Sequence, residues 1–151
     1  MDISADAVKE LRDKTGISVM ECKKALTEAG GDMEKAIELL KARSVVMAAK
    51  KSDRDLGAGT VVSYIHSNGQ VGALLVLVSE TDFVSKNDEF VALARDIAMH
   101  TTAMRPESIE ALLAQPFIKD ESKTIADLLS AATQKFGERV EIKDLSCFSV
   151  R

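Results

Sequence analysis

Val71-Gly72-Ala73-Leu74-Leu75-Val76-Leu77-Val78 is followed, after Ser79 and Glu80, by Thr81-Asp82-Phe83-Val84. The first eight residues form one of the most apolar runs of the chain and read as a buried strand. The tetrad then sets an acid beside a large aromatic where the strand ends and a polar helix start follows. Two readings are open at that point. Phe83 either turns inward, as a core residue at an element boundary, or projects from a rigid sheet edge toward another molecule. Spacing alone points inward.

On the amino side of this strand lie Val61, Val62, Tyr64 and Ile65, which are strand formers, and Asn68-Gly69, the strongest short turn signal of the chain. The two segments read as an antiparallel hairpin. On the carboxyl side, Asn87 or Asp88 can cap a long helix with apolar spacing at Phe90, Leu93, Ala94, Ile97, Ala98, Thr101 and Met104. Pro106 fits the first turn of a short helix carrying Ile109, Leu112 and Leu113. Gln115-Pro116-Phe117-Ile118 reads as a connecting segment. Thr124 caps a helix through Phe136, ended by Gly137. From Arg139 to Val150 the alternation Val140, Ile142 shifts phase to Leu145, Cys147. This predicts a third strand with a bulge near Lys143-Asp144.

The amino-terminal segment has a different texture. Ser4, Ser18 and Asp32 are caps for three short helices, with inward stripes at Ala7, Val8 and Leu11, at Val19, Cys22, Ala25, Leu26 and Ala29, and at Met33, Ala36, Ile37 and Leu40. Helices this short are unstable alone and must pack on one another. With a Gly-containing first turn, they resemble a ubiquitin-associated-type bundle. Residues 42–51 extend the third helix. Ser52 to Gly59, rich in Asp and Gly, reads as a linker. The expected organisation is a three-helix domain over residues 1–51, a linker over 52–58 and a core over 59–151. The fold class is α+β: the bundle, then a three-stranded antiparallel sheet packed with helices.

Composition excludes several functions. The net charge of the 151 residues is −4, which argues against binding nucleic acid by phosphate neutralisation. Lys23-Lys24 and Lys50-Lys51 sit among acids and read as solvated helix faces. No apolar stretch is long enough to span a bilayer, and the start, Met1-Asp2-Ile3-Ser4, has no apolar region of a signal peptide. Two cysteines, Cys22 and Cys147, make neither a disulfide framework nor a metal set, so a reducing, cytoplasmic setting is expected. Cys22 lies on an apolar helix face and Cys147 on the last strand. His66, near the hairpin turn, reads as solvated. No catalytic constellation, metal site or cofactor loop is visible; Gly57-Ala58-Gly59 lacks a phosphate-binding fingerprint. An enzyme built on Asp82 and His100 would have no third member.

Several motifs occur together in order: Val8-Lys9-Glu10-Leu11-Arg12, Thr15-Gly16, Cys22-Lys23-Lys24-Ala25-Leu26, Gly31-Asp32, Ala48-Ala49-Lys50-Lys51, Thr81-Asp82-Phe83-Val84, Ile97-Ala98-Met99-His100 and Gln115-Pro116-Phe117. In this combination the chain resembles bacterial elongation factor Ts, the nucleotide exchange factor for elongation factor Tu. Longer family members carry a second core half and a helical protrusion, for which the passage from Pro106 to Gln115 leaves no room. Where the family often has two methionines, this chain has Val19-Met20. The family tends to be basic near its carboxyl terminus; Glu141-Ile142-Lys143-Asp144 is mixed.

The resemblance implies that the tetrad Thr81, Asp82, Phe83 and Val84 disturbs the magnesium and phosphate site of the partner GTPase. Phe83 would enter an apolar pocket, and Asp82 would upset the hydrogen bonds around the magnesium. Arg12, Val19 and Met20 would belong to the partner-docking surface, unless Val19 and Met20 cover the core of the small bundle; the two readings are even. His100 would help to seat the partner or buttress Phe83, although a lone His on a helix is equally well read as structural. The implied function is guanine-nucleotide exchange on elongation factor Tu, without cofactor, nucleic acid or membrane. A shortened core leaves a second possibility, a tethering module with little exchange activity. Pairing of two copies through the core sheet is also expected, which would restore the surface that a second core half supplies. An edge Cys147 could then lie near the two-fold axis, but a small buried hydrophobe is the favoured reading of that residue.

Overall fold

The structure, a computed structural model, describes residues 3–50 and 54–151. Met1 and Asp2, which enter the reading of the amino terminus, lie outside the described residues. So do Lys51, Ser52 and Asp53, which carry the second lysine of the Lys50-Lys51 pair and the first part of the expected linker. Two compact units are present: Met1–Ser52 with Ser130–Gly137, and Asp53–Leu129 with Glu138–Arg151.

In the first unit, the Ser4 hydroxyl accepts the Ala7 N–H at 3.2 Å and starts α1 (Ala5–Thr15). Gly16 closes α1 by donating its N–H to the Arg12 carbonyl. Ser18 caps α2 (Val19–Glu28) through the Glu21 N–H, and Asp32 caps α3 (Met33–Lys50) through the Lys35 N–H. α3 therefore runs well past Leu40, as the sequence predicts. Val8, Leu11, Ile17, Cys22, Ala25, Leu26, Ala36 and Leu40 form the shared core. Residues 130–137, assigned from sequence to the other part of the chain, belong here: the Ser44 hydroxyl bonds both the Leu40 carbonyl and Gln134 Oε1.

The second unit is built on an antiparallel sheet in the order β1 (Ala58–Ile65), β2 (Val71–Ser79), β5 (Glu141–Ser149). Opposed residues share a face. Thr60, Val62 and Tyr64 of β1, Ala73, Leu75 and Leu77 of β2, and Ile142, Leu145 and Cys147 of β5 lie on one side. α5 (Asp88–Met104) packs on β1 and β2, with Phe90, Ala94, Ile97 and Ala98 buried. The register between β2 and β5 shifts between Val76 and Leu77, which skips Lys143. This is the bulge expected from the phase change. Gly69 turns the β1–β2 hairpin at φ 71°, a conformation that favours glycine.

Three local expectations need correction. β1 begins at Ala58, so Ala58 and Gly59 are strand rather than linker. A Cβ on Gly59 would stand 2.7 Å from the Leu77 carbonyl oxygen; here glycine serves close strand approach, not flexibility. Pro106 does not open α6 (Ile109–Ala114), because Ser108 takes the cap, its hydroxyl accepting the Ala111 N–H. Finally, Gln115 to Ile118 is not only a connection. β3 (Pro116–Phe117) pairs with β4 (Asp120–Thr124), strands too short to show alternation. α7 (Ile125–Phe136) starts, as expected, at Thr124, which exchanges two hydrogen bonds with Asp127. Among the described residues no helix is long and apolar enough to cross a membrane.

Candidate partner-binding site

Directly after β2, α4 (Asp82–Ser85) forms a single helical turn led by Thr81. Successive helical residues are rotated by roughly 100°. With Val84 and Ser85 buried, Asp82 and Phe83 are turned to solvent. Phe83 is 93% exposed, the most exposed large hydrophobic among the described residues. The open question at the strand end is thus resolved in geometry: Phe83 projects, and Val84 is the residue that packs inward. Isolated exposed apolar residues are common, but a nearly naked phenylalanine on a one-turn helix is unusual.

The root of this turn is fixed from both sides. Thr81 donates its N–H to Glu138 Oε1 at 2.9 Å and its hydroxyl to Glu138 Oε2 at 2.6 Å. Glu80 Oε2 accepts the N–H of Arg139 at 2.6 Å. Glu80 also pairs with Arg54 at 3.3 Å, and the Arg139 guanidinium bonds Glu141 and the Arg54 carbonyl. Sequence reading missed Glu138 and Arg139, because pairing across 57 residues leaves no periodic trace.

His100 is not a surface residue. Its side chain is fully buried, so it offers a partner no face. Its Nδ1 accepts the Ile118 N–H at 3.2 Å, so in the neutral ring Nε2 carries the proton and donates to Gln115 Oε1 at 2.9 Å. The Phe117 ring lies 6.0 Å away, centroid to centroid. His100 does not buttress Phe83 either: the Phe83 ring stands almost wholly in solvent, while His100 is fully buried. With both ring nitrogens taken by Ile118 and Gln115, it forms no acid–base pair with the exposed Asp82. What His100 does is tie the end of α5 to the β3–β4 hairpin.

In the three-helix unit, Arg12 is exposed at the end of α1, and Val19 and Met20 open α2 at 50% and 68% exposure. The inward place expected for Val19 in the second stripe is therefore corrected: as the first residue of α2 it lies outside the buried core, and so does Met20. Arg43 ties α3 to α2 through Glu21 and Glu28. Among the described residues no group of three or more His, Cys, Asp or Glu is placed to hold a metal. Cys22 is buried and its thiol meets the Ile17 carbonyl; burial pushes its pKa up. Cys147 is half-buried, its thiol on the Thr101 carbonyl, and its pKa is raised by the same cause.

The sequence profile of the family described as Elongation factor TS matches residues 80–150, the stretch that opens on this turn. Elongation factor Ts of Desulforamulus reducens is 38% identical over 94% of this chain and 86% of the relative. The protein of the same name from Thermosipho melanesiensis is 38% identical over 98% of each chain. The chain belongs to the elongation factor Ts family. Acetivibrio thermocellus supplies another elongation factor Ts, 39% identical over 93% of this chain. These alignments run over 186 to 193 positions, more than the 151 residues present, so the relatives carry additional residues. Within this elongation factor Ts fold, the helical and sheet units each present exposed apolar residues.

Proposed function

We propose that this chain is a guanine-nucleotide exchange factor that binds elongation factor Tu in its GDP form and promotes GDP release. The observation that carries this reading is Phe83, almost wholly exposed on a turn whose root is hydrogen-bonded on both sides. A GTPase holds its nucleotide through phosphate-cradling amides and a magnesium ion. Phe83 enters an apolar pocket beside that site, and Asp82 disturbs the hydrogen bonds around the magnesium. Thr81 and Val84 hold the turn rather than touch the partner. A wedge that prefers the nucleotide-free arrangement weakens nucleotide binding by the same factor. Incoming GTP reverses the exchange by the same coupling.

The three helices, read as a ubiquitin-associated-type bundle, provide the docking surface through Arg12, Val19 and Met20. The setting is the cytoplasm, where the partner works. GDP release from elongation factor Tu of the same source tests the reading. Acceleration by the wild-type chain, lost in Phe83→Ala, is expected. No acceleration despite tight binding would instead favour a tethering module, a reading supported by the extra residues of the relatives.

The face of the sheet turned away from α5 supports self-association. Val61, Ile65, Leu74 and Phe148 are exposed on it, with Gly72 between Ile65 and Phe148 in the paired row. A second copy laid on this face forms an isologous interface. Light scattering of wild type against Phe148→Asp reads this directly: a dimer that becomes a monomer is expected, and a wild-type monomer at micromolar concentration rejects it.

A further inference from the structure

Backbone pairing between β2 and β5 ends at Val78 and Glu141. Beyond that point side chains continue it. The Glu80 carboxylate takes the amide of Arg139, and the Glu138 carboxylate takes the amide of Thr81. Each acid thus holds the amide that follows the other acid. Glu138 also takes the Thr81 hydroxyl at 2.6 Å, so both its oxygens serve one residue. Bonds to an ionised acceptor are the shorter and stronger kind.

Thr81 stands at the cap position of α4 in extended conformation, yet its side chain makes no cap hydrogen bond. A threonine there ordinarily turns its hydroxyl to the amides of the first turn. Here the hydroxyl is drawn to Glu138 instead. An arrangement serving only the stability of α4 would leave the hydroxyl on the turn.

One turn alone is not a stable helix. Its carbonyls take the Ser85, Lys86 and Asn87 amides, and the buried Ser79 hydroxyl donates to the Thr81 carbonyl at 3.1 Å. Val84 and Ser85 anchor its exit in the interior. Thr81 anchors its entry. We infer that Glu138 is a positioning residue for nucleotide exchange: by holding Thr81 with two bonds, it fixes the direction in which Asp82 and Phe83 leave the sheet. This rests on the reading of Phe83 as the group that enters the partner.

The full chain contains no Trp, so Phe83→Trp gives a single indole whose anisotropy decay reports the mobility of the turn. In that background Glu138→Ala is expected to speed the nanosecond decay. Glu138→Gln restores it, because the amide can accept from the Thr81 N–H and donate to the hydroxyl oxygen. An unchanged decay in Glu138→Ala overturns the inference. With Phe83 intact, Glu138→Ala is expected to lower the maximal rate of GDP release from elongation factor Tu by on the order of ten- to a hundred-fold, the scale of a misplaced group. The concentration giving half-maximal release is expected to hold, since Arg12, Val19 and Met20 are untouched. Added to Phe83→Ala, Glu138→Ala should cost nothing more.

A wild-type rate in Glu138→Ala, with Phe83→Ala slow, removes the positioning role and leaves the probe standing. A further loss in the double variant, or a change confined to half-saturation, also overturns it. If Phe83→Ala releases GDP at the wild-type rate, the probe reading falls and the inference with it. Should Glu138→Ala not fold, Thr81→Val, which removes one of the two bonds, carries the test: an intermediate loss supports the inference and none overturns it.

Discussion

His100 and Gln115 are joined, Nε2 to Oε1, at 2.9 Å in the interior of the sheet unit. Each comes from a separate sequence motif, and the second nitrogen of the ring accepts the Ile118 N–H. Replacing His100 by Leu removes two bonds at once, to Gln115 Oε1 and to the Ile118 N–H, both of them part-buried. A typical intramolecular hydrogen bond contributes about 0.5–1.5 kcal/mol net. Denaturant unfolding of His100→Leu should therefore show a loss of about 1–3 kcal/mol at unchanged m-value. A midpoint equal to wild type would mean that the two bonds carry no net stability.

Phe83 should behave in the opposite way. It contributes almost nothing to burial, so Phe83→Ala is expected to change stability by less than about 0.5 kcal/mol. Its effect on GDP release should be that of an interface hot spot, about 2 kcal/mol or more. Thermal unfolding and the release assay on one preparation separate the two. A lowered melting temperature would show that the ring has a packing role in solution.

Gly59 has a steric reason to be glycine. Its added Cβ would meet Val78 Cγ1 at 2.9 Å as well as the Leu77 carbonyl oxygen at 2.7 Å. Gly59→Ala should cost about 1–3 kcal/mol, the usual range for overpacking. Unfolding at wild-type denaturant concentration would show that β1 shifts freely.

Met20 and Val19 offer a test of docking apart from exchange. Met20→Asp and Val19→Asp lie outside the buried core, so the fold should persist. Binding to elongation factor Tu should weaken by about tenfold each, the threshold effect of an interface contact. Wild-type affinity in both, measured by calorimetry, would move the docking surface elsewhere.

The thiols give a pH prediction. Burial raises the pKa of Cys22 above 9.0, so as pH rises the unfolded thiol ionises before the folded one. A raised folded pKa contributes stability that is present below the unfolded value and lost as pH climbs through the folded value. Stability should therefore fall above pH 9.0 more steeply in wild type than in Cys22→Ala. Equal slopes would mean that Cys22 ionises without resistance. At neutral pH, alkylation of the folded chain should be slow at both Cys22 and Cys147.

The parts of this fold that are written locally were legible. Ser4, Ser18 and Thr124 cap helices within three residues of themselves, Asn68-Gly69 turns its own hairpin, and the phase change after Ile142 announces a bulge. What stayed hidden depends on distance or on brevity. β3 has two residues, too few for alternation. The direction of Phe83 lies in one helical turn, where no period can be read, and only the burial of Val84 and Ser85 decides it. Glu138 is recognisable only once β5 lies beside β2. His100 carried a family motif and left a surface role and a structural one equally open; its two bonds make the buried, structural place possible.

The bulge at Lys143 sets a parity rule for the end of the chain. Because one residue is skipped there, Leu145 and Cys147 meet the helices while Phe148 faces away. Strict alternation from Ile142 without the bulge would put Leu145 and Cys147 on the outer face and Phe148 against α5. Deleting Lys143 would instead keep both faces, because Asp144 would follow Ile142 directly and still oppose Val76. The bulge is the place where this strand absorbs one residue without exchanging its sides.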